Sequence, residues 1–334
     1  MSTNKTPSSL MVLGTSAMVA GAVVLASSCG GGGGSDAPDA TAATIDTAAV
    51  TSAINDFDGL VGICRQATGA LRIERKFAVA QVLRSAMGPA ARSAPPFTKT
   101  RLALGSTPPA DQLGDCGGRY GYRDYSHVNG VTTATLAFEN YCERDSSTGE
   151  RQLVNGAIAF VNTATPTASG PISTQLVADT SAPVTVIVQT STGAPVSSET
   201  LSFSGFKTVV GVPGGTPTAA NPNVMTLADM TVKNNDTGKT YRESNYLLRE
   251  YETPAGNTEM TFSGRGYRSS GSYFDIASTQ PVVMDADGDV VSGVFTFTGA
   301  NGSNAVATLV PGSTMQATLT VNGAPVTAVP VCTP

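Results

Sequence analysis

From residue 116 onward, apolar and polar positions alternate along the chain. In residues 131–142 (VTTATLAFENYC), Ala134, Leu136, Phe138 and Cys142 occupy even positions. In CGGRYGYRDY, from residue 116, Cys116, Tyr120 and Tyr122 share that parity, while Arg119 and Arg123 take the other. A period of two sends alternate side chains to opposite faces of a strand, so these runs predict strands with one buried face. Turn dipeptides punctuate them at Asn129-Gly130, Thr148-Gly149, Ser169-Gly170, Thr192-Gly193, Thr237-Gly238, Ala255-Gly256, Ser270-Gly271, Asp287-Gly288, Asn301-Gly302 and Asn322-Gly323. Runs rich in Val, Thr, Phe and Tyr lie between these turns, with no helical period among them. The pattern predicts antiparallel sheet, roughly a dozen strands.

The period differs upstream. Val50, Ile54, Phe57, Val61 and Cys64 step by 4, 3, 4 and 3, which aligns them on one face of a helix. Gly59 and Gly62 weaken that helix by about 1 kcal/mol each. A second stretch, 71–87, sets Leu71, Phe77, Val82 and Leu83 among Arg72, Glu74, Arg75 and Lys76, and Pro89, Pro95 and Pro96 follow. The expected organisation is a helical element over 46–92, a Pro/Gly-rich connector over 93–115 and an antiparallel β domain over 116–334. The fold class is mainly β, a large sandwich or an open, curved, barrel-like sheet with a short helical N-terminal element.

The chain has five cysteines. Setting aside Cys29, four remain, an even number that in an exported protein points to disulfides. One pairing follows from register. If His127 pairs with Val131 around a three-residue loop ending in Gly130, Tyr120 faces Phe138, Tyr122 faces Leu136 and Cys116 falls opposite Cys142. A slip of one residue would turn a whole face outward. By elimination Cys64 bonds Cys332, tying the helical element to the last strand. Closing the Cys116–Cys142 loop contributes about 3.5 kcal/mol by chain entropy.

The N-terminus carries an address. Lys5 is followed by an apolar stretch over residues 10–26, short for a permanent span, and then by Ala26, Ser27 and Ser28 before Cys29. Residues 1–28 read as a cleaved signal peptide. With Cys29 and the run Gly30 to Gly34, this segment resembles the lipobox of bacterial lipoproteins, although Ala26 stands where that family usually has leucine and Leu25 is one position further out. The resemblance implies that Cys29 receives a diacylglycerol on sulfur and becomes the mature N-terminus. Gly30, where that family uses aspartate for inner-membrane retention, implies the outer membrane of a Gram-negative cell. Gly-rich chain behaves as a flexible coil, so residues 29–45 read as a lipidated tether.

Composition narrows the partners. The net charge is −5 and charged residues make up 13% of the chain, which argues against nucleic acid, whose phosphates need a concentrated basic surface. Candidate chemistry is sparse. TGKT at 237–240 resembles a P-loop tail, but Lys233 stands where that motif requires glycine. Asp285, Asp287 and Asp289 gather three carboxylates that could hold calcium, yet Thr296 occupies the twelfth position of an EF-hand loop. His127 is the only histidine and no G-x-S-x-G elbow accompanies it, so it reads as a loop residue. Glu139, Glu143, Glu250 and Glu259 could supply a carboxylate pair for glycoside chemistry, with solvated outward positions as the plain reading. Tyr120, Tyr122, Tyr241, Tyr246, Tyr251, Tyr267 and Tyr273 could line a glycan or peptide surface, with strand core and edge positions as the plain reading. No metal site of the usual zinc kind and no cofactor motif emerges.

The layout as a whole, Cys29 with its glycine run and CGGRYGYRDY…FENYC opening a β-rich body, resembles a broad set of uncharacterised bacterial lipoproteins. That resemblance implies an envelope address and no activity. The expectation is a protein held to the membrane by an N-terminal acyl anchor, with a binding or structural role toward an envelope protein, glycan or lipid. A curved sheet enclosing an apolar ligand is one alternative. An envelope enzyme acting on glycan through carboxylates is another.

Overall fold

The computed structural model describes residues 41–46, 61–65, 71–75, 107–144, 149–166, 172–267, 271–286, 289–312 and 316–326. Seventeen strands among them join one sheet. They are β1 (Val61–Arg65), β2 (Leu71–Arg75), β3 (Gln112–Leu113), β4 (Arg119–Val128), β5 (Val131–Arg144), β6 (Arg151–Thr165), β7 (Ile172–Gln189), β8 (Pro195–Ser204), β9 (Phe206–Val209), β10 (Asn223–Asn234), β11 (Thr240–Glu252), β12 (Thr258–Tyr267), β13 (Tyr273–Met284), β14 (Val290–Thr298), β15 (Asn304–Leu309), β16 (Gln316–Val321) and β17 (Ala324–Pro325). Strands adjacent in sequence are adjacent in space from β3 to β8 and from β10 to β17, all antiparallel. β9 continues the line of β8 past Gly205, and both lie between β7 and β10. All ten turn dipeptides fall between consecutive strands.

Alternation explains the core. Along β5 the exposed or half-exposed positions 131, 133, 135 and 137 interleave with buried Thr132, Ala134, Leu136 and Phe138. A single apolar cluster draws side chains from β4 through to β16. With no helical layer among the described residues to cover it, that face is buried by the strands of the sheet itself. Outward positions mix Thr, Ser, Arg and Glu with apolar residues such as Val131, Val161, Val196 and Val291.

The predicted helix over 46–92 is corrected where the structure describes it. Residues 61–65 and 71–75 are β1 and β2, paired antiparallel with Ile63 opposite Ile73. Val61 and Ile63, like Leu71 and Ile73, also satisfy a period of two, and β-branched residues favour that geometry. Gly62 gives a helix little support. β2 in turn pairs with β16, so this hairpin extends the sheet. The remainder of the predicted helix lies outside the described residues. The connector is likewise not free of structure, since Gln112 pairs with Tyr120.

The β4–β5 hairpin keeps the expected register in its body and departs from it at its tip. Tyr120 faces Phe138 and Tyr122 faces Leu136, as derived. At the tip, however, Val128 pairs with Val131 across the two-residue turn Asn129-Gly130, where φ is +50° and +78°. That is the turn geometry Asn-Gly prefers. A bulge at Asp124, with φ +50°, absorbs the one-residue difference. Cys116 and Cys142 are joined by a disulfide with their Cα atoms 5.1 Å apart.

The segment expected to end a free tether is bound to the body. Ala43 N donates to Tyr273 O, and Ala300 N donates to Ala43 O, both at 2.6 Å. Ile45 N donates to Ser303 Oγ at 2.9 Å, and Asn322 Nδ2 donates to Ile45 O at 3.0 Å. Ala43 and Ile45 are buried. The approach is so close that a Cβ on Gly299 would lie 2.2 Å from Ala43 O. Residues 41–46 therefore lie across one end of the sheet, the end with the β12–β13, β14–β15 and β16–β17 turns.

Candidate functional site

The residues singled out by sequence do not converge. Cys29 and Cys332 lie outside the described residues; Cys64 is on β1, opposite Arg72. Asp285 and Asp289 close the β13–β14 hairpin, with Asp285 N donating to Asp289 O and Asp289 N to Asp285 Oδ1. Asp287 lies outside the described residues, and no group of three potential metal ligands occurs among the described ones. Residues 237–240 follow a turn organised by Asn234 Oδ1, which accepts from the N–H groups of Asp236 and Thr237. His127 is not a loop residue but belongs to β4, its Nδ1 2.8 Å from Thr132 Oγ1.

The four candidate glutamates divide. Glu139 is outward and accepts from Arg119 Nε at 2.7 Å and Arg123 Nη2 at 3.3 Å. These guanidiniums hold its carboxyl below the usual range, and Arg123 does the same for Asp111. Glu143 accepts from the Tyr141 hydroxyl, and Glu259 from that of Tyr251. Glu250 is the exception: it is 6% exposed and faces inward, a correction to its reading as a solvated charge. The tyrosines divide too. Tyr120 and Tyr246 are buried. Tyr267 and Tyr273 sit outward, beneath Arg242 at 4.8 Å and Arg265 at 3.8 Å from the ring centres.

Glu250 has company that the sequence did not announce. On β11, Tyr246, Leu248 and Glu250 share the inward parity and are all buried. Asn245, with φ +54°, then breaks the alternation, and the β11–β12 register shifts there. The shift turns Glu243 inward, against Met230 on β10 and Gly266 on β12. The Phe274 ring packs close over Gly266, where a Cβ would lie 2.4 Å from it. Burial pushes the Glu243 carboxyl up to about 8 and that of Glu250 up to about 7. Burial, which disfavours the charged form, is the cause in both cases.

Two polar side chains on the inner face hold a buried atom without a partner. Glu199 on β8 is buried with its Oε1 unmatched, and burial, with Asp236 nearby, pushes its carboxyl up to about 7. Asn223 pairs directly with Glu250 across β10 and β11. Its Oδ1 accepts from Gly211 N at 3.2 Å, while its buried Nδ2 has no partner. The loop 210–222 folds over this end, with Pro217 buried and its carbonyl accepting from Glu252 N.

As a catalytic pair these carboxyls fail on distance. Seven positions along one strand, at about 3.3 Å each, set Glu243 and Glu250 on the order of 20 Å apart. Glycoside chemistry needs about 5–10 Å. What the arrangement can do is present isolated hydrogen-bonding groups, with carboxyls whose ionisation burial disfavours, to something apolar that enters the inner face. Comparison of the chain with protein-family models, with curated proteins and with solved structures finds no match in any of the three.

Proposed function

We propose that this is a lipid-anchored protein of a Gram-negative outer membrane, acylated at Cys29, whose β-body has a non-enzymatic binding role on the periplasmic or surface side. One observation carries the reading: residues 41–45 are fastened to one end of the body, so the chain leading back to Cys29 leaves from that end. By composition, the eleven Gly-, Ala- and Asp-containing positions between Cys29 and Thr41 suit a flexible tether with a root-mean-square reach of about 18 Å. The fastened end then stays near the bilayer, while the end with loop 210–222 faces away. Two or three acyl chains suffice to hold such a body stably. The distance between the inward carboxyls favours binding over glycan hydrolysis.

The test is intact-mass analysis of the mature chain from membranes, beside a Cys29→Ser variant. The expected result is a chain beginning at Cys29 with diacylglycerol and acyl mass, sedimenting with membranes, and a variant that is neither acylated nor membrane-bound. A mature chain without acyl mass, or one starting elsewhere, overturns the anchor.

A further inference from the structure

The inner face is not equally covered along its length. Val184, Val282 and Phe274 are between 0% and 1% exposed, fully enclosed by neighbours. Leu176 on β7, Phe206 on β9, and Met225 and Leu227 on β10 face the same side yet remain only partly buried. Register makes them one strip. Ala178 opposes Phe206, Leu176 and Met225 both oppose Thr208, and Leu227 opposes buried Tyr246. At one end of the strip stands the Asn223–Glu250 pair, and on its far side Met260 opposes Glu250.

This combination has a chemistry. Asn223 Nδ2 can only donate, and it is a buried donor without a partner. The Glu250 carboxyl, enclosed beside it, can accept or, when protonated, donate. Arg249, the cation next in sequence, is exposed on the opposite face. An anionic head such as phosphate would meet a carboxyl with no cation to offset it, which a low-dielectric site penalises. A hydroxyl satisfies both groups, accepting from Nδ2 and donating to the carboxylate. The apolar strip runs four residues from Asn223 to Leu227, about 13 Å, alongside methionines that adapt their shape to a guest.

We propose that the inner face between β7 and β11 binds a single-chain lipid with an uncharged, hydroxyl-bearing head, of the monoacylglycerol class. The head sits between Asn223 and Glu250, and the chain lies along Met225, Leu227, Leu176 and Phe206. The inference deepens the binding role above and rests on it, but not on acylation.

The test uses the full-length chain carrying Cys29→Ser, so that no acyl group of its own contributes lipid. Native mass spectrometry and titration are run with monooleoylglycerol and, for comparison, oleoyl lysophosphatidic acid. The expected result is one monooleoylglycerol per chain, bound at least tenfold tighter than the phosphate-headed lipid. Glu250→Leu and Asn223→Leu each weaken binding tenfold or more, and Glu250→Gln stays within threefold. Met225→Trp, which fills the strip and leaves the polar pair intact, abolishes binding while circular dichroism remains that of the parent. No bound lipid, equal affinity for the two heads, or unchanged binding in both leucine variants overturns the site. Acylation lost with monooleoylglycerol still bound removes the anchor and keeps the site; an acylated chain that binds no lipid does the opposite.

Discussion

The β4–β7 and β8–β11 parts of the sheet place their acidic side chains in opposite ways, although each holds a buried side-chain atom without a partner, Arg151 Nε in the first and Glu199 Oε1 and Asn223 Nδ2 in the second. In the β4–β7 half, Asn162 is completely buried and accepts a hydrogen bond from the Ser173 hydroxyl, while His127 meets Thr132 across the β4–β5 ladder. Two acids beside those strands, Asp111 and Glu139, stay outside and pair with Arg119 and Arg123. In the β8–β11 half, Glu199, Glu243 and Glu250 are turned into the apolar interior, and Asn223 keeps an unmatched donor. The paired groups can be understood as parts of a fold. Buried polar atoms left unpaired cost stability, so this part of the sheet carries a penalty that the fold does not need.

The sharpest way to break that contrast is to remove the charge it turns on. Glu243 binds its proton more tightly folded than unfolded, so the folded state is penalised as the group ionises. Stability is therefore greatest below the unfolded value near 4.5 and is lost as pH rises toward the folded value of about 8. The full loss is on the order of 5 kcal/mol. Denaturant unfolding of Glu243→Leu from pH 5 to pH 8 is expected to show a flatter profile than the parent and higher stability at pH 8. A parallel slope in the variant would mean that Glu243 is not the buried titrating group.

The opposite sign is expected in the other half. Asn162→Ala strands the Ser173 hydroxyl and opens space at a fully buried position, so it should destabilise by about 2–3 kcal/mol at any pH from 5 to 8. Equilibrium unfolding checks both the size and the absence of pH dependence. The smallest effect belongs to the outer face. Arg265 is one-third exposed, pairs with Asp275 and covers Tyr273, so Arg265→Ala should cost less than about 1 kcal/mol and move further toward zero in high salt.

Particular residues mark how far sequence reaches. The described Xaa-Gly turns were readable because glycine and asparagine supply the positive φ that tight turns need, and the disulfide followed from the register of the β4–β5 hairpin. Parity also held the answer for Glu250, which shares its face with Leu248 and Tyr246; carboxylate chemistry argued for solvent, and packing prevailed. Glu243 was hidden by the bulge at Asn245, since a single left-handed residue reverses which face the following positions take. The β1–β2 hairpin escaped because Val61 and Cys64 satisfy a helical spacing while Val61 and Ile63 satisfy a strand. Nothing in so short a segment breaks that tie except a partner, and β2 finds one in β16.

The most direct measurement is a carboxyl-carbon NMR titration of the full chain with glutamate labelled at Cδ, with Glu243→Gln and Glu250→Gln variants assigning the two resonances. The account predicts midpoints near 8 for Glu243 and near 7 for Glu250, with Glu139 below the ordinary carboxylate range in the same spectra. Midpoints near 4.5 for both inward residues would contradict it, because they would mean that each carboxyl is solvated or paired and that the two halves of the sheet do not differ.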